Sequence, residues 1–201
     1  MSNPKLDTSL FDRAAIFAIK AHAGTERRGK GYPYIIHCME AACIVADYTT
    51  DQELLAAAIL HDTLEDTDVT YEDIEKEFGK RVADLVQSET TEVPEGVSEK
   101  DSWRDRKQAT IDRLKDITHD KKIIAMGDKL SNMRAIAKDY KDIGDALWSR
   151  FHCDKPSDYE WYYRGLQQAL SDLEDSDAYE EYSYLADKTF LKAFHSNDEE
   201  K

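Results

Sequence analysis

The chain has 201 residues, enough for one large domain or for a domain with an appendage. Hydrophobic residues make up 41% and charged residues 34% of the chain, so it can bury a core, and no apolar run of about 18 residues exists to cross a membrane. The formal net charge of −15 disfavours binding to nucleic-acid polymers and to anionic lipid, because like charges repel.

The residue pattern in the first third of the chain predicts helices with short connections. The low glycine and proline content of the whole chain agrees with this prediction. Apolar residues at helical spacing predict a helix over 9–23 that ends at Gly24, and a basic, glycine-rich loop follows over 24–33. A second helix is predicted over 34–48. A third is predicted over 51–65, and it ends in a cluster of acidic residues beside a histidine.

The rest of the chain also predicts helices, and no strand alternation is found, so the predicted fold class is all-α. The elements are two short helices within 68–89 that break at Gly79, a polar loop over 90–99, and helices over 100–117 and 121–140. Seven of the eleven tyrosines fall in residues 140–201. We therefore expect a domain over 1–142 and accessory helices over 143–201 that pack on the same domain.

The three cysteines, Cys38, Cys43 and Cys153, are an odd number without the paired spacing of a zinc motif. We interpret them as reduced thiols, which are typical of a cytoplasmic protein. The first residues show no basic region followed by an apolar one, so no secretory signal is predicted. The sequence therefore favours a cytoplasmic location.

Two histidines and two aspartates, His37, His61, Asp62 and Asp128, lie in predicted helices next to apolar residues. A carboxylate that packs inward needs a partner, because an uncompensated buried charge is costly. Two imidazoles and two carboxylates suit a divalent cation, and the share of carboxylates favours Mn²⁺, Fe²⁺ or Mg²⁺ over a structural zinc. We expect one ion, with Mn²⁺ as the first choice, and about two coordination positions left for water and a phosphate oxygen.

The order of these four residues resembles the HD phosphohydrolase superfamily. More narrowly, the segments AHAGTERRGKGYPYIIH, AAAILHDTLEDT and GDKLSNMRAI are similar to the hydrolase domain of the RelA/SpoT family, over about residues 10–140. The resemblance implies an HD-domain helical bundle with an additional C-terminal helical segment. It also implies a metal-dependent enzyme that removes the 3′-pyrophosphate of guanosine tetra- and pentaphosphate and releases pyrophosphate.

The resemblance further implies a role for each residue that matches a family motif. By position it implies that the metal ligands are His37, His61, Asp62 and Asp128, and that Glu65 and Asp66 are the acidic pair beside the attacking water. It implies that Arg27 and Arg28 are the basic pair that packs on the purine and meets phosphate. It also implies that the helix face that holds the nucleotide carries Lys129, Asn132 and Arg134. The expected partner is a small nucleotide, with no nucleic-acid polymer and no membrane. A homo-oligomer is compatible with the sequence.

Two differences from the family pattern keep alternatives open. The loop over 26–33 is one residue longer than in the long bifunctional enzymes, and Thr25 replaces the usual glutamine; residues 85–92 also differ from the family's stretch. Both differences fall where the base and ribose are expected, so an HD phosphohydrolase acting on another nucleotide or a phosphorylated cofactor is an alternative. A non-catalytic nucleotide-binding helical module is a second alternative, although such a module has no need of Glu65 and Asp66.

Overall fold

The computed structural model describes residues 6–90, 102–150 and 155–195, and the regular structure in these ranges is helical, without strands. The α-helices are α1 (Ser9–Ala21), α2 (Ile35–Ala46), α3 (Gln52–Leu60), α4 (Thr63–Asp66), α5 (Tyr71–Phe78), α6 (Lys80–Gln87), α7 (Trp103–Asp116), α8 (His119–Ile143), α9 (Pro156–Ala169) and α10 (Asp177–His195). Short 3₁₀ helices span Gly144–Arg150 and Ser171–Leu173. The predicted all-α fold is confirmed. In these ranges no helix is both long enough and apolar enough to cross a bilayer.

One predicted helix is wrong in a way that matters for the site. The third helix, expected over 51–65, is interrupted, because α3 ends at Leu60 and α4 begins at Thr63. The hydroxyl of Thr63 donates to the Leu60 carbonyl at 2.7 Å, so a side chain takes up a carbonyl at the end of α3. His61 and Asp62 therefore lie in a turn, and the regular helical spacing assumed for the acidic cluster does not apply.

The other predicted helices are present with shifted ends. The two short helices α5 and α6 meet at Gly79, as predicted, and Gly79 has a φ of 91°, a value that favours glycine. The helix predicted over 121–140 runs from His119 to Ile143. Of the loop predicted over 90–99, residues 91–99 lie outside the described residues.

The chain divides into two compact units. Among the described residues, the first unit contains 6–90 and 123–128, and the second contains 102–122, 129–150 and 155–195. Helix α8 contributes to both units. The expected division into a domain over 1–142 and accessory helices over 143–201 stays a prediction.

Small residues allow the helices of the first unit to pack closely. Helix α3 packs against both α1 and α2. Its alanines Ala56, Ala57 and Ala58 are fully buried, and so are Ala14 and Ala18 on α1. Because α3 carries only apolar residues from Leu54 to Leu60, most of its surface packs inside this unit. The turn that holds His61 and Asp62 thus begins at the end of a buried helix.

Gly127 brings α8 into contact with the main chain of α2. A methyl group built on Gly127 would lie 2.7 Å from the Ala41 carbonyl oxygen and 2.9 Å from Cγ2 of Val45. Only glycine fits such an approach without a shift of the backbone. The close contact positions the next residue, Asp128, against α2.

The second unit has a core of aromatic residues. The Trp148 ring stacks on Tyr159 at 5.5 Å and on Phe190 at 5.9 Å between ring centroids. The buried hydroxyl of Tyr182 donates to the Tyr163 carbonyl at 2.9 Å. The tyrosine-rich part of the sequence thus supplies large apolar surface, and a buried hydroxyl finds a backbone acceptor.

We expect Gly127→Ala to lower the free energy of unfolding by about 1–3 kcal/mol, because the added methyl group overlaps the main chain of α2. Gly165→Ala in α9 is the comparison, since the added methyl group there meets only the side chain of the buried Ile111 and no main-chain atom is among its nearest neighbours. Urea unfolding measures both changes. A Gly127→Ala protein as stable as the wild type would contradict the close approach of α8 to α2.

Candidate metal centre

Three separate segments bring four of the predicted site residues together within the first unit. His37 comes from the first turn of α2, His61 and Asp62 come from the turn between α3 and α4, and Asp128 comes from α8. His37, His61 and Asp128 are buried, and Asp62 is half-buried. The convergence of these side chains, expected from their order in the sequence, is present in the structure.

The two histidines lie close to both aspartates. Nε2 of His37 lies 3.4 Å from Oδ2 of Asp62 and 3.2 Å from Oδ1 of Asp128. Nε2 of His61 lies 2.8 Å and 3.7 Å from the same two oxygens. Two ligands at right angles, each about 2.1 Å from an ion, are separated by about 3.0 Å. His37, His61 and Asp128 therefore lie close enough together to hold a divalent cation, and Asp62 lies beside both histidines.

The imidazole of His61 is oriented by the main chain. Its Nδ1 lies 2.8 Å from the Ala58 carbonyl oxygen, so Nδ1–H donates to that carbonyl and Nε2 is the nitrogen left to bind an ion once it is deprotonated. Nε2 is buried and makes no hydrogen bond of good geometry, although two carboxylate oxygens lie near it. A metal ion would satisfy this atom, and a backbone contact of this kind is typical of metal-binding histidines.

The protonation of His61 and Asp62 reflects their contact. Burial acts to lower the pKa of His61, but the neighbouring Asp62 and Asp128 carboxylates outweigh it and raise the pKa well above 6.5. Burial likewise acts to raise the pKa of Asp62, but His61 and His37 hold this pKa well below 3.8. In the metal-free protein a proton on His61 thus plays part of the role that a cation would play.

Tyr34 is a site residue that the sequence analysis missed. Its hydroxyl donates to Oδ2 of Asp62 at 2.7 Å, and its ring meets that of His37 edge-on at 5.6 Å between centroids. Burial, followed by the negative charges of Asp62 and Asp66, raises the pKa of Tyr34 far above 10, so the hydroxyl stays a hydrogen-bond donor. The only signal in the sequence is its position one turn before His37, which many core tyrosines share.

The basic loop approaches the cluster through Arg27. The Arg27 guanidinium lies over the ring of Tyr34, 5.2 Å from its centroid, whereas Arg28 is exposed on the same loop. Gly29 and Gly31 have φ values of 69° and 71°, which allow the loop to turn sharply. The structure therefore brings Arg27 to the neighbourhood of the metal cluster and leaves Arg28 on the surface of the loop.

Glu65 and Asp66 lie in the short helix α4, and both are exposed as whole residues. The amide of Asp66 donates to the Asp62 carbonyl at 2.9 Å, which ties α4 to the ligand turn. Partial desolvation of its carboxyl group and then the charge of Asp62 raise the pKa of Asp66, against smaller opposing effects of Tyr34, His61 and Arg27. A carboxylate with a raised pKa is a better proton acceptor near neutral pH.

The three predicted nucleotide contacts beyond Asp128 belong to the second unit. Lys129, Asn132 and Arg134 follow Asp128 on α8, and each is half-buried. Arg134 forms a two-pronged ion pair with Glu181 of α10, with N–O distances of 2.8 and 2.6 Å. Arg134 thus has a structural partner within the second unit, and the nucleotide-binding role of all three residues stays a prediction.

Comparison with families and curated proteins gives a consistent result. The HD domain family matches residues 14–149 of the chain. The bifunctional (p)ppGpp synthase/hydrolase SpoT of Escherichia coli K12 is 39% identical over 132 residues, which are 62% of this chain and 18% of that protein. The guanosine-3′,5′-bis(diphosphate) 3′-pyrophosphohydrolase of Aquifex aeolicus is 51% identical over 78 residues, which are 39% of this chain and 11% of that protein. The chain thus spans less than a fifth of the length of these relatives.

Solved structures share the fold. A metazoan ortholog of SpoT, reported to hydrolyse ppGpp, superimposes with a TM-score of 0.68 at 23% identity, over 96% of this chain and 98% of that chain. A protein from Listeria monocytogenes EGD-e superimposes with a TM-score of 0.67 at 29% identity, over 77% of this chain and 99% of that chain. The helical architecture is therefore that of known HD domains.

We expect binding of a divalent ion to release about one proton per ion at neutral pH, because His61 must give up its proton to become a ligand. Since the pKa of His61 is raised above 6.5, the affinity for metal should keep rising with pH at pH values above those at which an ordinary histidine has already lost its proton. Isothermal titration calorimetry with Mn²⁺ in two buffers of different ionisation enthalpy counts the released protons. A binding enthalpy that does not change with the buffer would show that His61 is already neutral.

Proposed function

Since the chain belongs to the HD domain family, we propose that it is a metal-dependent hydrolase that removes the 3′-pyrophosphate of guanosine 3′,5′-bis(diphosphate) and releases pyrophosphate. The observation that carries the proposal is that His37, His61 and Asp128 lie close enough together to hold one ion, with Asp62 at 3.4 Å and 2.8 Å from the two histidines. The named relatives, at 39–51% identity over the matched region, act on this nucleotide and favour it as the substrate.

We assign the metal ligands to these four side chains and favour Mn²⁺ as the ion. Two nitrogen and two oxygen ligands are harder than the thiolate-rich sets that select zinc for structural sites, and they suit Mn²⁺, Fe²⁺ or Mg²⁺. An ion held there polarises phosphate oxygens and acidifies a neighbouring water molecule. The hydrogen bonds from Tyr34 to Asp62 and from His61 to Ala58 fix two of the ligands before an ion binds.

The substrate is an anion, and it must approach a chain with a net charge of −15. Arg27 and Arg28 supply positive charge on the loop next to the cluster, and Lys30 follows on the same loop. Because the Arg27 guanidinium already lies over the Tyr34 ring, its position is restricted and it can pair with phosphate oxygens at a small entropic cost. This local positive charge offsets the repulsion from the rest of the surface.

We assign proton transfer to the acidic pair of α4. Burial and the charge of Asp62 raise the pKa of Asp66, which makes it a better proton acceptor, and its amide ties it to the ligand turn. It therefore takes the proton from the attacking water in this scheme, while Glu65 orients that water. The similarity to the family further assigns Lys129, Asn132 and Arg134 to the nucleotide. A cytoplasmic location and a homo-oligomer stay predictions.

A nucleotide panel tests the proposal. The protein is stripped with a chelator, supplied with Mn²⁺ and offered guanosine 3′,5′-bis(diphosphate) beside other nucleotides and phosphorylated cofactors. We expect pyrophosphate release from the guanosine compound, and a loss of at least about 100-fold in Asp128→Asn, because the ion contributes several kcal/mol to the reaction. Asp142→Asn, at an exposed position of the same helix, is the control and should stay active.

The other outcomes of the panel overturn the proposal. Orthophosphate release from other nucleotides alone would assign the same metal chemistry to another substrate. Tight binding of a nucleotide without turnover under any metal condition would leave a non-catalytic binding module.

The role of Asp66 has its own test. We expect Asp66→Asn to lower kcat by roughly 10²–10⁴-fold, because the amide cannot accept the proton from water. Its KM and its affinity for Mn²⁺ should change little, since Asp66 is not among the converging ligand atoms. Asp68→Asn removes an equally exposed carboxylate two residues away and serves as the control. Equal kcat values for the two variants would refute the assignment.

A further inference from the structure

A second group of candidate ligands overlaps the cluster of His37, His61 and Asp128. One ligand atom from each of Cys38, His61 and Asp62 lies within 4.8 Å of the other two. Cys38 follows His37 on α2, and its side chain is fully buried. Burial raises the pKa of the Cys38 thiol to about 12, so it is a poor nucleophile, and the proposed hydrolysis makes no use of it.

A second buried histidine holds the sulfur atom in place. Nε2 of His22 lies 3.9 Å from Sγ of Cys38, within hydrogen-bonding reach of a sulfur atom, and only 2% of the His22 surface is exposed. The His22 ring lies against Tyr34 at 5.1 Å between centroids. Cys38 thus lies close both to this buried histidine and to the turn that carries His61 and Asp62. Its neighbour His61 has a buried Nε2 without a hydrogen bond of good geometry.

We propose that Cys38, His61 and Asp62 form a binding site for a thiophilic divalent ion such as Zn²⁺ or Cd²⁺, and that its occupation prevents the hydrolytic ion from binding. A sulfur, a nitrogen and an oxygen ligand form a mixed set that zinc accepts in a tetrahedral arrangement, with one position left for water. The thiol releases its proton to solvent when the ion binds. The hydrolytic set of two imidazoles and two carboxylates contains no sulfur, so the two sites differ in the ions that they prefer.

The two sites exclude one another because they share His61 and Asp62. Nδ1 of His61 is occupied by the Ala58 carbonyl, so this residue can offer only Nε2 to a metal. One ring nitrogen binds one ion at a time, and an ion beside Cys38 therefore removes His61 from the group with His37 and Asp128. This second part of the inference rests on the proposed hydrolytic metal centre, whereas the binding of a thiophilic ion by Cys38 does not.

A titration with Cd²⁺ tests the binding without any measurement of turnover. A thiolate bound to Cd²⁺ absorbs in the near ultraviolet, so we expect such a band to appear in the metal-stripped wild type and in Cys43→Ser. Cys43 is exposed and five residues further along α2, which makes this variant the matched control. In Cys38→Ser, which keeps Cys43 and Cys153, the band should be lost and the affinity for Cd²⁺ should fall at least about 10-fold. An unchanged band in Cys38→Ser, or its loss in Cys43→Ser, would overturn the proposal.

Two further measurements use the wild-type protein alone, so they do not depend on how a variant folds. X-ray absorption of the zinc-loaded protein should show one sulfur at about 2.3 Å among nitrogen and oxygen ligands, and a coordination shell without sulfur would refute the site. Addition of Mn²⁺ should reduce the Cd²⁺ band in proportion to the Mn²⁺ that binds. If both ions bind together, the shared use of His61 is wrong, while hydrolysis by the Mn²⁺-loaded protein is judged separately by the nucleotide panel.

Discussion

Two carboxylates next to two imidazoles in the interior are the feature on which the rest of the first unit depends. Asp62 and Asp128 lie close enough to repel one another, and charge in a low-dielectric interior is costly unless an opposite charge lies near it. The histidines supply part of that charge when protonated, and a divalent ion would supply all of it. Buried helices hold this arrangement in place, because the side chains would otherwise turn towards water.

The convergence of four side chains could be predicted from the sequence, since a distinctive order of residues on separate helices carries information that single residues lack. Local geometry could not be predicted in the same way. The acidic cluster continues the helical spacing of α3, so the turn at His61 and Asp62 has no clear signal, and it depends on side chains that bond to carbonyls. Tyr34 could not be predicted because the role of its hydroxyl depends on a hydrogen bond to Asp62, which is distant in the sequence.

Residues that act on a substrate are harder to predict than residues that hold an ion. The structure brings Arg27 to the cluster through its contact with Tyr34, and the hydrogen bond from Tyr34 to Asp62 connects the glycine-rich loop to this expected ligand through two contacts. Arg134, by contrast, is engaged with Glu181 in the second unit. A family motif thus identifies which residues are expected to bind the substrate. The contacts of each side chain in the structure decide which of these residues are held in place before a nucleotide binds.

The close approach at Gly127 also bears on how strongly the centre can bind. A helix that meets the main chain of its neighbour cannot rotate or slide by one residue without a steric overlap. The main chain at Asp128 is therefore held against α2 before an ion binds. The backbone that carries this residue therefore loses little conformational entropy when a cation binds. Most of that entropy is already lost when the protein folds.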